Sequence, residues 1–174
     1  MNCIIRPCTV KDCKVILQFI KELAIDYKVP PTDVKVTLEA LREDGFGARP
    51  RYDCYLAELP PGETNKEAGG SIVGYVLSTY TYSSWKGRNV YMDNMYVQPQ
   101  FRGRQIGKQL LEKAVQAAIA KGCCQLRMHV GNWKANEMGF LAHHGGEDLT
   151  AKEGWALFRF EEDALQRLAA RSTF

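Results

Sequence analysis

One segment constrains the fold of this chain more than any other. Residues 89–97 are rich in β-branched and aromatic side chains, which predicts a strand. The sequence Arg-Gly-Arg-Gln-Ile-Gly-Lys follows at positions 102–108. Apolar residues then recur at helical spacing, with polar residues between them: Ile106, Leu110, Leu111, Ala114, Val115, Ala118 and Ile119. The pattern predicts a strand, a tight turn and an amphipathic helix, in that order.

The turn at residues 102–108 has the properties of an anion-binding site. Unpaired backbone N–H groups and the positive end of the helix dipole meet at a helix N-terminus, so a phosphate can bind there with little help from side chains. Arg102, Arg104 and Lys108 add positive charge. A net charge of +3 over the whole chain is too small to favour nucleic acid as a partner. We therefore expect one phosphorylated ligand at this turn.

Two common nucleotide-binding motifs do not fit the turn. A Walker loop has the form G-x-x-x-x-G-K-[ST], whereas Gly103 and Gly107 are one residue too close and Lys108 is followed by Gln109. The dinucleotide fingerprint G-x-G-x-x-G fails because Gln105 stands where its second glycine is needed. An R-G-x-x-I-G turn remains, which an ordinary strand-to-helix connection would also explain.

Length and composition predict one globular domain over residues 1–174. No apolar run is long enough to cross a bilayer, and the N-terminus lacks the apolar stretch of a signal peptide. We therefore expect a cytoplasmic protein with no membrane partner. The six cysteines are then expected as thiols, and because their spacing relative to His129 does not match a zinc site, no metal is expected.

The remaining segments predict a mixed α/β fold. Thr9 and Asp12 form a capping box for a helix that ends near Asp26, and Thr37 caps a second helix that Gly45 ends with a left-handed residue. A short helix is predicted over 133–142 and a loop over 60–70. Strands are predicted at 3–6, 52–58, 71–82, 89–97, 125–130 and 155–160. Antiparallel strands followed by a βαβ crossover give a mixed sheet with helices on both faces.

Short stretches over nearly the whole chain carry a family resemblance. They include Asp-Gly-Phe-Gly at 44–47, Ile-Val-Gly-Tyr at 72–75, Trp-Lys-Gly-Arg at 85–88 and Glu-Gly-Trp at 153–155, together with the turn at 102–108. With these stretches the chain resembles the GCN5-related N-acetyltransferase (GNAT) family, and within it the spermidine/spermine (diamine) and thialysine acetyltransferase branch. The resemblance implies the GNAT fold, whose mixed central sheet contains a splayed strand pair, and it implies a homodimer.

The resemblance also implies acetyl-CoA as the donor and a small primary amine as the acceptor. The pyrophosphate of acetyl-CoA is expected on the backbone of the turn, and its pantetheine arm beside the end of the preceding strand. Backbone N–H groups there would stabilise the developing oxyanion. The implied acetyl-CoA-binding residues are Met95, Tyr96, Val97, Arg102, Gly103, Arg104, Gln105, Ile106, Gly107, Lys108 and Asn136.

Acetyl transfer requires a neutral amine, so a base must remove a proton from the ammonium form. Asp93 stands where polyamine acetyltransferases carry a glutamate, and the resemblance therefore makes it the candidate catalytic base. A solvated carboxylate at a strand end explains Asp93 equally well. The implied substrate-binding residues are Trp85, Asp93, Asn94, Glu153 and Trp155.

Leu141 is the largest departure from the family pattern. It occupies the place of the tyrosine that protonates the leaving CoA sulfur, and leucine cannot donate a proton. Because a thiolate can leave unaided, we expect a loss of roughly 10²- to 10⁴-fold in rate rather than inactivity. His143 or His144 could substitute as the acid, although both are expected in an exposed loop.

Three further departures concern ligand binding. Lys134 replaces an asparagine that commonly contacts the pantetheine arm, with Asn136 nearby. Gln105 replaces a glycine of the turn, and we expect its backbone to remain in the right-handed helical region, where a Cβ is tolerated. Ser83 and Asn94 stand where the branch tends to carry aspartates, which favours an amine with fewer positive charges than spermine.

The sequence thus predicts an acetyl-CoA-dependent N-acetyltransferase of weakened activity that acts on a diamine or thialysine-like amine. The main alternative is a catalytically impaired acetyl-CoA-binding or adaptor protein of the same fold. A protein N-acetyltransferase is disfavoured because Asp93 and Glu153 suit a cationic small amine better than a peptide groove.

Overall fold

The structure, a computed structural model, describes residues 3–63 and 70–170. The chain divides into two compact units, Met1–His129 and Val130–Phe174, and each is described by itself below. That residues 1–174 form a single domain stays a prediction.

The first unit is built on a five-stranded sheet in the order β1-β2-β3-β4-β5. The first four strands pair antiparallel, and β5 lies parallel to β4, so the predicted mixed sheet is confirmed. The strands are β1 Ile4–Pro7, β2 Asp53–Glu58, β3 Ile72–Ser83, β4 Gly87–Val97 and β5 Gln125–Arg127. The helices are α1 Cys13–Asp26, α2 Leu38–Phe46 and α3 Ile106–Ala120, with 3-10 turns at Val10–Asp12, Pro31–Asp33 and Pro99–Phe101.

Each face of the sheet packs against its own helical layer. On one face, Phe19 of α1 lies between the rings of Tyr75 and Tyr96, at centroid distances of 6.0 and 5.6 Å. On the other face, Ile106 and Leu110 of α3 belong to a second buried cluster of the sheet. Full burial of an aliphatic side chain of this size contributes about 1.5–3 kcal/mol, so these two residues hold the start of α3 against the sheet.

The two predicted caps are present, but one of them belongs to a 3-10 turn, and one predicted helix end is wrong. Thr9 and Asp12 form the capping box of the 3-10 turn Val10–Asp12, which directly precedes α1. The Thr37 hydroxyl caps α2 and accepts a hydrogen bond from the backbone N–H of Ala40 at 3.1 Å. Gly45 does not end α2, which continues to Phe46. A glycine is needed at position 45 because a Cβ there would clash with the ring of Tyr52.

The second unit contains three short helices: α4 Ala135–His143, α5 Leu149–Glu153 and α6 Glu162–Ala170. The helix predicted over 133–142 is confirmed as α4, whereas the strand predicted over 155–160 is wrong. A strand needs a partner for its backbone hydrogen bonds, and residues 130–170 of this unit contain no other strand. The strand predicted over 125–130 ends at Arg127, and the predicted loop over 60–70 lies partly outside the described residues.

Candidate active site

Strands β4 and β5 pair over a short distance and then separate. The parallel ladder joins Asn89–Tyr91 to Gln125–Arg127, and β4 then continues to Val97. Within the described ranges, the β5 side of β4 therefore has no strand partner beyond Tyr91. Its backbone groups are available to a ligand, as expected of the splayed strand pair.

A β-bulge places Asp93 at this point of separation. Met92 pairs with Ser78 of β3 and Asn94 pairs with Leu77, so Asp93 is an extra residue without a partner in the ladder. Bulges change the direction of a side chain and occur frequently beside active sites. Met92 and Tyr96, on either side, are buried in the core, whereas Asp93 is exposed.

The carboxyl group of Asp93 has an unusual electrostatic environment. Its pKa is raised above the ordinary value because the surrounding protein reduces hydration of the charged form, and the nearby imidazole of His129 opposes this shift by lowering the pKa. A raised pKa makes a carboxylate a stronger proton acceptor, which is the property required of a general base. Structural carboxylates also show such shifts, so this one supports the role without assigning it.

The turn before α3 contains two left-handed residues. Gly103 has φ +78° and Gln105 has φ +66° and ψ +11°. The expectation that Gln105 remains right-handed is therefore wrong. The glutamine at the N-cap of α3 therefore adopts a conformation that a Cβ disfavours.

Backbone amides at the start of α3 form the centre of the candidate phosphate site. The first hydrogen bond of the helix joins the N–H of Gln109 to the carbonyl of Gln105 at 3.1 Å. The N–H groups of residues 106–108 precede this bond and have no intrahelical acceptor. A Cβ on Gly107 would lie 3.8 Å from Cε of Met95, which places these amides beside the end of β4.

Arg102 fastens the turn to the end of β4. Its Nε donates to the carbonyl of Val97 at 2.8 Å, and its guanidinium forms an ion pair with Asp26 at 3.1 Å. The same group lies over the ring of Tyr96, 5.6 Å from the centroid. The side chain of Tyr96 in turn points into the core, where its hydroxyl donates to Glu22 at 2.8 Å. Arg102 therefore positions the turn, and the backbone of residues 95–97 remains beside it.

Trp85 and Asp93 are both predicted substrate-binding residues, but Trp85 lies apart from the bulge that carries Asp93. It stands in the tight turn between β3 and β4 and is 84% exposed. Its backbone N–H donates to the hydroxyl of Ser83 at 3.2 Å. Asn94, directly after Asp93, is half-buried.

The second unit carries the other predicted site residues. Trp155 donates from its indole Nε1 to the carboxylate of Glu153 at 2.7 Å, so these two predicted substrate residues lie together. Leu141 lies in the last turn of α4, and Asn136 in its first. His143 ends that helix, and the ring of His144 packs edge-on against Phe140 at 4.6 Å.

Sequence reasoning missed one pair of residues near the bulge. The hydroxyl of Tyr91 and Nδ1 of His129 are 2.7 Å apart, and the two rings lie 5.4 Å apart between centroids. Tyr91 is the last residue of β4 that pairs with β5, and His129 follows the end of β5. The parallel register of the two strands is the signal that could have found the pair.

The described residues contain no cluster of histidine, cysteine or carboxylate side chains that could hold a metal ion. In the same part of the chain, no helix is both long and apolar enough to cross a bilayer. The six cysteines are free thiols.

Comparison with known proteins agrees with this geometry. The sequence model of the Acetyltransferase (GNAT) family matches residues 20–145, well over half of the chain. The chain therefore belongs to the GNAT family and is an N-acetyltransferase. It is 44% identical to a thialysine N-epsilon-acetyltransferase from Bos taurus over 169 residues, which cover 96% of this chain and 97% of that protein. It is also 41% identical to the enzyme of that name from Mus musculus, with 96% and 97% covered.

Solved structures show the same fold at low sequence identity. An integron cassette protein from the mobile metagenome of V. cholerae superimposes with a TM-score of 0.72 at 20% identity, covering 99% of both chains. An aminoglycoside N-acetyltransferase in complex with CoA superimposes with a TM-score of 0.67 at 16% identity, covering 92% of this chain and 95% of that one. The predicted GNAT fold is thus confirmed.

Proposed function

We propose that this protein transfers the acetyl group of acetyl-CoA to a primary amine of a small diamine or a thialysine-like substrate. The observation that carries the proposal is the position of Asp93, on a bulge where β4 leaves β5. The 44% identity to a thialysine N-epsilon-acetyltransferase over nearly the full length supports the choice of amine. By resemblance to this branch, we also propose a cytoplasmic homodimer.

Acetyl-CoA fits the described residues at the start of α3. The amides of residues 106–108 and the positive end of the α3 dipole suit its pyrophosphate, and Lys108 adds positive charge beside them. Arg102 and Gly103 hold the turn in the required shape. The backbone of β4 from Met95 to Val97, which lies beyond the residues that β5 pairs with, suits the amides of the pantetheine arm. When bound, the cosubstrate supplies a thioester carbonyl as the acyl donor.

Asp93 is the proposed general base. It takes one proton from the substrate ammonium, and the neutral amine then attacks the thioester carbonyl. Backbone N–H groups of residues 95–97 stabilise the oxyanion of the tetrahedral intermediate. The C–S bond then breaks, and the excess proton of the nitrogen passes through water to the departing thiolate, which gives the acetylated amine and the free thiol of CoA. By resemblance to the branch, Trp85, Asn94, Glu153 and Trp155 are each proposed as residues that bind the amine.

Leu141 is the observation that favours a second candidate function. Since leucine cannot protonate the departing thiolate, the proposed enzyme is slower than relatives that carry a tyrosine. If that loss is complete, the protein is an acetyl-CoA-binding or adaptor protein of the same fold.

The test is to incubate the purified protein with acetyl-CoA and thialysine, lysine, putrescine or spermidine, and to follow release of free thiol. We expect amine-dependent thiol with thialysine or a diamine, and its absence for every amine would refute the enzyme. Asp93→Asn should lower kcat/KM by about 10²-fold or more. Asp53→Asn is a matched control, because Asp53 forms an ion pair with Lys121 and has no part in the proposed mechanism.

Calorimetry with CoA distinguishes the two candidates if thiol is not released. An adaptor that binds acetyl-CoA should still show heat of binding, and Gly103→Ala should reduce it. Absence of binding to the unchanged protein would refute both candidates.

A further inference from the structure

Tyr91 and His129 form a polar pair beside the proposed base that the proposed mechanism does not use. The hydroxyl–Nδ1 distance of 2.7 Å is that of a strong hydrogen bond. The pair joins Tyr91, the last ladder residue of β4, to His129, which lies two residues after the end of β5, and Asp93 lies on β4 two residues beyond Tyr91. Both His129 and Asp93 are exposed, so water can reach them.

We infer that His129 is a proton-relay residue for Asp93, held in place by Tyr91. This inference rests on the proposed function and concerns the same site. The proton that Asp93 takes from the substrate ammonium must leave before the next turnover. Imidazole is the side chain best suited to accept and release a proton near neutral pH.

Tyr91 decides which nitrogen of the ring takes part. In the proposed relay Nδ1–H donates to the phenol oxygen, so that Nε2 holds the lone pair that accepts the proton. The protonated carboxyl of Asp93 transfers its proton through water to Nε2, and a carboxylate and an imidazolium result. The imidazolium then releases the proton to solvent, so the side chains return to their starting state and no bond other than those to hydrogen changes.

An electrostatic interaction between the two groups supports the relay. The imidazole of His129 lowers the pKa of Asp93, opposing the rise that reduced hydration causes. Burial, and then the nearby charge of Asp93, raise the pKa of the Tyr91 phenol, so the phenol stays protonated and available for hydrogen bonding to the ring. Arg127 is the charged residue that pairs with Tyr91 across the β4–β5 ladder, and its side chain is exposed.

The first experiment measures kcat/KM against pH for three variants. His129→Gln keeps a hydrogen-bonding side chain but cannot titrate, and we expect a rate at least about 10-fold lower with loss of one inflection. His129→Ala should recover activity when imidazole is added, because the site is exposed. Arg127→Gln is the matched control, since it removes a permanent charge from the same strand and should keep the inflection. An unchanged profile in His129→Gln, or no rescue of His129→Ala, would overturn the relay.

The second experiment needs no turnover, so it separates failure of the relay from failure of the proposed function. Titration of the Asp93 carboxyl carbon by NMR in the free protein reports its pKa directly. His129→Gln should raise that pKa further, because the opposing imidazolium is gone, and Tyr91→Phe should raise it less. If the Asp93 titration is the same with and without His129, the two groups are not coupled and the relay is refuted, whatever the amine assay shows.

Discussion

Gln105 offers a direct measurement of the conformational cost of the turn. A non-glycine residue in the left-handed region costs about 1–2 kcal/mol relative to its right-handed form, and Gln105 has φ +66°. Glycine removes this cost but makes the unfolded chain more flexible, which costs about 0.4–1 kcal/mol. The Gln105→Gly variant should therefore be more stable by about 0.8 kcal/mol, near the middle of the difference. For a chain of this length, that corresponds to a rise in Tm of about 2–3 °C.

Urea unfolding of the free protein, followed by circular dichroism, measures this difference. Gln105→Ala is the matched control, because it removes the side-chain atoms beyond Cβ but keeps the Cβ that disfavours the left-handed backbone. Its free energy of unfolding should not rise. Calorimetry with CoA should give an affinity for Gln105→Gly at least equal to that of the unchanged protein, since the amides of residues 106–108 keep their direction.

Two outcomes would contradict this account. If Gln105→Gly and Gln105→Ala are stabilised equally, the gain comes from losing the glutamine side chain and not from the backbone. If Gln105→Gly is less stable than the unchanged protein, the left-handed conformation at this residue is not strained.

Three further predictions concern Gly103, Leu141 and Asp93. Gly103→Ala should lower the free energy of unfolding by about 1 kcal/mol, measured with urea; a Cβ there meets no atom within 4 Å, so a larger loss would contradict a purely conformational cause. Leu141→Tyr should raise kcat in the thiol assay by about 10-fold or more if the missing acid limits turnover, and an unchanged kcat would refute that limit. Asp93→Asn should unfold at higher urea concentration than the unchanged protein at neutral pH, because the reduced hydration of the folded carboxylate raises the Asp93 pKa and so disfavours the charged form. The difference should vanish below the ordinary aspartate pKa of about 3.9, where Asp93 is protonated in both the folded and the unfolded state, and a difference that persists there would contradict this cause.

Much of the candidate site follows from local patterns. The turn at 102–108 is predictable because glycine placement and the helical period of Ile106, Leu110 and Ala114 depend on neighbouring residues alone. The caps at Thr9 and Thr37 are predictable for the same reason. The departure at Leu141 is also visible in the sequence, because the family resemblance implies a tyrosine at this position and leucine has no hydroxyl group.

The wrong predictions share a physical cause. Gln105 was expected in the right-handed region because that is where a glutamine is most stable in isolation. Its φ is instead determined by the path between the buried ends of β4 and α3, where Tyr96 and Ile106 are anchored in the core. The strand predicted over 155–160 fails because aromatic composition shows that a segment can pair but not that it has a partner.

The sequence by itself determined the mixed sheet and the glycine-containing turn before α3, because each depends on residue type and short-range spacing. The tertiary structure alone decided that Asp93 lies on a bulge and that His129 meets Tyr91 at 2.7 Å. Those facts depend on strand register. Register is determined by packing between residues distant in the chain, and no local pattern in one strand specifies which residue of another will lie beside it.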